Sequence, residues 1–154
     1  MTNKTKLIAD QKVFSGLTSK QQQIMDQHST LIAFKTGQYL AKEGDQAEDF
    51  FILNQGSLAI EINVAPIGER TLLTLMPGDL AGWSWIFPPY CWVFDLKARS
   101  DGEAIQFDAA ALREHCEKDP VFGYALMQLF VQVMCERLKS TRIQLLDIYG
   151  NPTP

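Results

Sequence analysis

Phe34–Ile62 reads FKTGQYLAKEGDQAEDFFILNQGSLAIEI. Short apolar runs are broken by Gly37, by Gly44-Asp45 and by Asn54-Gln55-Gly56. Each break is a turn signal, and each run has the length and composition of a strand. The same texture extends outward, from Leu31 to Phe107. Residues 65–79, APIGERTLLTLMPGD, carry a hairpin signal at Ile67-Gly68-Glu69 and a further turn at Pro77-Gly78-Asp79. Residues 94–108, FDLKARSDGEAIQFD, carry Asp101-Gly102, a strong tight-turn dipeptide. Turns at this spacing predict a mainly β fold, an antiparallel jelly-roll barrel over residues 31–107.

The flanks read as helices. In the N-terminal segment, 1–30, Thr18 is a plausible N-cap and Gln21 stands three residues on, the pattern of a capping box. Leu17, Ile24 and Met25 are expected to face inward. In the C-terminal segment, 108–149, Asp108 can cap AAALREHCEKD, and Pro120 opens the longest helix at its first position. Phe122, Leu126, Leu129, Val133, Leu138, Leu145 and Ile148 form one stripe at three- and four-residue steps. Met127, Phe130, Val131 and Met134 lie on another face. One face can cover the barrel. The other then needs a partner, and the simplest partner is the same helix of a second copy, so a homodimer through this helix is expected. Gly150 is expected to stop the helix.

The bulk numbers fit one globular domain over 1–154: 46% hydrophobic and 21% charged residues in 154. A net charge of −4 does not suit a nucleic-acid or anionic-membrane partner. No apolar run is long enough to span a bilayer, and the N-terminus lacks a signal-peptide core. Three cysteines at wide spacing make no disulfide framework, so a cytoplasmic protein with reduced thiols is expected. Enzyme chemistry finds little to build on. The two histidines, His28 and His115, fall on predicted helices, and no nucleophile elbow, metal-ligand set, phosphate-cradling loop or cofactor motif is present.

The order helix, short strands, long helix resembles the cyclic-nucleotide-binding domain of catabolite-activator-type regulators. Gly37 fits that family's glycine after the first strand, Glu43-Gly44-Asp45 its Glu-Gly-Asp turn, and Phe50–Ile60 its central hairpin. LMPGDLAGWSWIF resembles the entry to its phosphate-binding cassette. The resemblance implies that a cassette glutamate should hold the ribose and an arginine the cyclic phosphate. Here Gly82 is kept, but Trp83 stands at the glutamate position, and Trp92, Val93 and Phe94 stand where the arginine triplet belongs. A phosphate needs a cation or several N–H donors, and an indole offers one N–H and an apolar face. Cyclic AMP is therefore not the expected ligand. No DNA-reading helix follows the long helix, so direct DNA binding is not expected either. The reading is a non-enzymatic regulatory or sensor module for another small molecule or a protein partner. The alternatives are cyclic nucleotide binding by a rewired cassette, or an unrecognised jelly-roll enzyme.

The candidate site is GDLAGWSWIFPPYCWVFD, residues 78–95, which holds all three tryptophans. Its rings either plug the old nucleotide cavity, line a pocket for a flat apolar ligand, or form a partner surface. Gly82, Trp83, Ser84, Trp85, Tyr90, Cys91, Trp92, Val93 and Phe94 are the candidate residues. Thr141, in the polar KSTR break of the long helix, falls closest to where the resembled family touches the purine. Position 92 should point into the barrel, with at least one of Trp83 and Trp85. Lys97 and Arg99 lie two apart and share a strand face, which is either solvated or turned inward as a substitute anion site. No cationic neighbour activates Cys91.

Overall fold

The computed structural model describes residues 3–150. Residues 1–2 and 151–154, with the end of the chain after Gly150, lie outside the described residues. The N-terminal segment folds as α1 (Asn3–Asp10), a single 3-10 turn (Lys12–Phe14) and α2 (Ser19–Gln27). The capping box at the start of α2 is made in full. The Thr18 hydroxyl accepts from the Gln21 N–H at 3.2 Å, and the Gln21 amide oxygen accepts from the Thr18 N–H at 3.0 Å. Leu17 and Met25 are buried, and Ile24 packs half-buried against the core.

Eight strands follow: β1 (Ser29–Phe34), β2 (Tyr39–Ala41), β3 (Asp49–Gln55), β4 (Leu58–Val64), β5 (Gly68–Leu75), β6 (Leu80–Ala81), β7 (Asp95–Ala98) and β8 (Gly102–Asp108). They form two four-stranded antiparallel sheets, ordered β1-β8-β3-β6 and β2-β7-β4-β5. This is the jelly roll the turn spacing predicts. Then come α3 (Ala109–Lys118), capped by the Asp108 carboxylate on the Ala111 N–H at 3.0 Å, and α4 (Pro120–Gly150).

Two expected connections differ. The β4–β5 hairpin forms as predicted, with Val64 opposite Gly68. The turn at Asn54-Gln55-Gly56 does not close a central hairpin, because β3 and β4 belong to different sheets. The chain instead crosses from one sheet to the other at Gly56, whose φ is 93°. A Cβ there would lie 2.6 Å from the Asp101 carbonyl oxygen, so glycine is required by both conformation and space. Asp101-Gly102 is the return crossing, from β7 to β8.

β3 is buried on both faces. Phe50 and Ile52 meet the helices, while Phe51 and Leu53 face the space between the sheets. The two apolar sets of α4 do not divide as expected. Phe122, Leu126, Leu129 and Phe130 are all buried in the first turns, although Phe130 belongs to the second set. Val131, Leu138, Leu145 and Ile148 are exposed, whichever set they belong to. The packed face continues from Phe122, Leu126, Leu129 and Phe130 to Arg137 on Leu80, while Val121 and Tyr124 of the first turns are exposed and every position past Arg137 is open.

Candidate functional site

β6 ends at Ala81, and the chain returns to β7 through residues 82–94. The last part of this loop is held along residues 44–47. The Trp92 N–H donates to the Asp45 carbonyl at 2.8 Å, the Gly44 N–H to the Trp92 carbonyl at 2.8 Å, and the Ala47 N–H to the Tyr90 carbonyl at 2.6 Å. The in–out alternation of β7 therefore runs back into the loop. Ala98, Leu96, Phe94 and Trp92 are buried, while Val93 is 60% exposed.

Trp92 stands inside the barrel, 4% exposed. Its ring lies over Gly82 so closely that a Cβ on Gly82 would meet Trp92 Cη2 at 2.6 Å, and Gly82 itself has a φ of 104°. The indole lies 6.2 Å between centroids from Phe51 and 5.6 Å, edge-on, from Phe94. Trp83, half-buried, meets the other side of the series edge-on to Phe94 at 5.8 Å. Four rings thus run from Phe51 through Trp92 and Phe94 to Trp83.

Trp85 takes the opposite side of β3. It stacks on Phe50 at 5.4 Å and meets Phe130 of α4 edge-on at 5.2 Å, 1% exposed. Its neighbour Tyr90 has a φ of 55°, the left-handed region, with the Arg113 guanidinium 4.0 Å from its ring. Ser84 is buried, and Cys91 is half-buried with its thiol 3.4 Å from the Pro89 carbonyl. The Thr141 hydroxyl donates to the Arg137 carbonyl of its own helix at 2.9 Å and is exposed. Of the candidate residues, then, Gly82, Trp83, Trp92 and Phe94 come together. Val93 points away, Trp85 and Tyr90 face the helices, and Thr141 is spent on α4.

The cations sort in the same way. Lys97 and Arg99 lie on the outer face of their sheet, opposite in direction to Leu96 and Ala98. Arg99 pairs with the buried Glu61 at 3.0 Å, and Lys97 lies 4.0 Å from Glu69. The cation that does approach the ring series is Arg137 of α4. Its guanidinium is 5.2 Å from the Trp83 ring and donates to the Leu80 carbonyl, while Nη1 is covered and has no hydrogen-bond partner among the described residues. Burial lowers its pKa, and the nearby Asp79 carboxylate opposes that shift. The sequence carries no local sign of this role, because an arginine in a long helix is ordinarily a solvated residue.

A groove of about 1010 Å³ runs along α4 past Leu17, Leu75, Asp79, Gln128 and Arg137. A smaller cavity of about 360 Å³ lies between the loop and the α3–α4 junction. Neither is lined by Trp92 or Phe94.

Residues 31–119, from β1 to the end of α3, match the model of the cyclic nucleotide-binding domain. The chain belongs to the cyclic nucleotide-binding domain family. It is 25% identical over 149 residues to a CRP-like cAMP-activated global transcriptional regulator of Mycobacterium tuberculosis, covering 96% of this chain and 64% of the relative. It is thus shorter than the regulator it matches. Among solved structures of cyclic nucleotide-binding domains, one from Methylobacillus flagellatus superposes with a TM-score of 0.78 at 13% identity, covering 97% of this chain and 83% of that one. A mutant regulatory subunit of a cAMP-independent protein kinase A from Trypanosoma brucei, bound to cAMP in its A site, superposes at 0.72, with 17% identity and 93% and 50% coverage. These structural likenesses confirm the fold of a cyclic nucleotide-binding domain with a long C-terminal helix.

Proposed function

We propose that this cyclic nucleotide-binding-type regulatory domain acts without cyclic AMP, as a homodimeric, non-enzymatic module that senses another small molecule or a protein partner. One observation carries the reading. The Trp92 indole fills the space over Gly82 between the sheets, at the position where the family's resemblance places the phosphate arginine. A cyclic phosphate entering there would meet four aromatic rings. Lys97 and Arg99 cannot serve it, since they are paired on the outer face. The Trypanosoma regulatory subunit is described as cAMP-independent, and its cAMP-bound form carries a threonine-to-arginine substitution among its changes. That is consistent with a fold that keeps its shape while ligand dependence rests on a few side chains. Isothermal calorimetry with cyclic AMP tests the reading. The expected affinity is no tighter than about millimolar, roughly −4 kcal/mol. Micromolar binding would show that the inter-sheet site opens and that Arg137 or another cation takes the phosphate.

A further inference from the structure

We propose that the cavity between residues 85–90 and the α3–α4 junction is a ligand site for a small, flat aromatic monocarboxylate. At about 360 Å³ it lies in the size range of small-molecule pockets. Its walls are apolar: the Trp85 indole, the Tyr90 ring, the Met127 thioether and the Cys116 side chain. Burial pushes the Cys116 thiol up to about 11, so this wall is uncharged at neutral pH.

One donor group breaks the apolar lining, the Arg113 guanidinium. It lies 4.0 Å from the Tyr90 ring centre and spends one N–H on the Trp85 carbonyl at 2.7 Å, and its planar fork carries further donors. A carboxylate suits the guanidinium, and an aromatic ring suits the walls. Glu117 also lines the cavity and disfavours a second negative charge.

The position gives such a ligand a regulatory lever. It would bridge the loop that carries the inward tryptophan and the junction from which α4 departs. At that junction Gly123 packs so tightly on Cys116 that a Cβ would lie 3.0 Å from the Cys116 carbonyl oxygen. Occupancy therefore ties the loop to the direction of α4. The site is separate from the space between the sheets, so its test does not depend on whether cyclic AMP binds.

The probe is 2-naphthoate, titrated into the full-length ¹⁵N-labelled chain, with the three indole N–H signals assigned from the Trp83→Phe and Trp92→Phe variants. The Trp85 signal should shift saturably while that of Trp92 stays in place. The neutral 2-naphthylmethanol should bind more weakly. Arg113→Gln should weaken naphthoate binding about tenfold or more, as loss of a charge-assisted hydrogen bond does. Met127→Trp should block binding by filling the cavity, with the amide spectrum showing that each variant is folded. A Trp85 signal unmoved at millimolar probe overturns the proposal. So does Arg113→Gln binding like the wild type, or a shift that appears at Trp92 instead.

Discussion

At the scale of single residues, the inward side of the barrel is governed by the pair Trp92 and Gly82. Trp92→Ala removes a buried ring in contact with two other rings, and should cost about 3–5 kcal/mol in urea denaturation. Gly82→Ala places a methyl group where Trp92 Cη2 lies and forces an L side chain to a φ of 104°. Overpacking of this kind costs about 1–3 kcal/mol. The two losses should be less than additive, because shortening Trp92 makes room for the new Cβ and leaves only the backbone strain. A fully additive cycle would mean that the two residues do not meet. Asp49 gives a pH-dependent prediction. Burial, then Asp108 and Glu48, push its carboxyl above the usual carboxylate range, against a hydrogen bond with Gln106 that lowers it. A raised acid is more easily ionised in the unfolded chain, so stability falls as pH rises from the ordinary value near 3.8 through the folded value. Asp49→Asn should therefore be at least as stable as the wild type at pH 7. That relative advantage should shrink toward pH 3.5, as urea midpoints at the two pH values would show.

At the scale of elements, α4 has two regimes. Its first turns pack Phe122, Leu126, Leu129 and Phe130 into the core. Beyond them Leu138, Leu146 and Ile148 are 61%, 68% and 71% exposed. A helix this apolar and this exposed suits a covering surface, and in the proposed homodimer a second copy of α4 would supply one of matching length and character. Light scattering should find the wild-type chain dimeric at micromolar concentration. Leu138→Glu and Leu145→Glu should each yield a folded monomer, since a charge in an apolar helix seam is costly to bury. A monomeric wild type would remove the homodimer from the proposed function. The short elements are governed locally. Thr18→Ala removes the hydroxyl that accepts from the Gln21 N–H, leaving the backbone N–H of residue 18 to donate to the Gln21 amide oxygen, and should cost about 1 kcal/mol, read as a lower melting temperature.

At the scale of the whole molecule, the two sheets enclose a space occupied by the protein's own side chains. Removing Trp92 should convert that space into a cavity lined by Phe51 and Phe94, which stays apolar and can admit a ring. Indole is then expected to raise the melting temperature of Trp92→Ala and to leave that of the wild type unchanged. At a concentration of 100 times Kd the stabilisation would be about 2.7 kcal/mol. An equal response from both proteins would place indole outside the inter-sheet space.

What the sequence determined by itself is what local covalent geometry controls. Thr18 and Gln21 are three residues apart, so one helical turn brings them together in any surrounding fold. The inward direction of Trp92 was what the family resemblance implied for that position, and the two-residue period running back from β7 is how the structure achieves it. The jelly roll was legible in the spacing of turns, and the family in residues such as Gly37, Gly44 and Gly82. The tertiary structure decided everything that depends on a distant segment. A turn at Asn54-Gln55-Gly56 looks the same whether it closes a hairpin or crosses between sheets, because the choice lies in which strands pair on either side. Trp85 and Trp92 read alike in sequence, yet Phe50 and Phe51 on opposite faces of β3 send them to opposite sides. Phe130, read by period as part of a second apolar face, is buried against Trp85 and Phe50 together with residues of the first stripe. Arg137 reaches Leu80 and Trp83 only because α4 folds back across the sheet. Period and capping come from bonds along the chain, but the occupant of a cavity comes from surfaces that meet only after the chain has closed on itself.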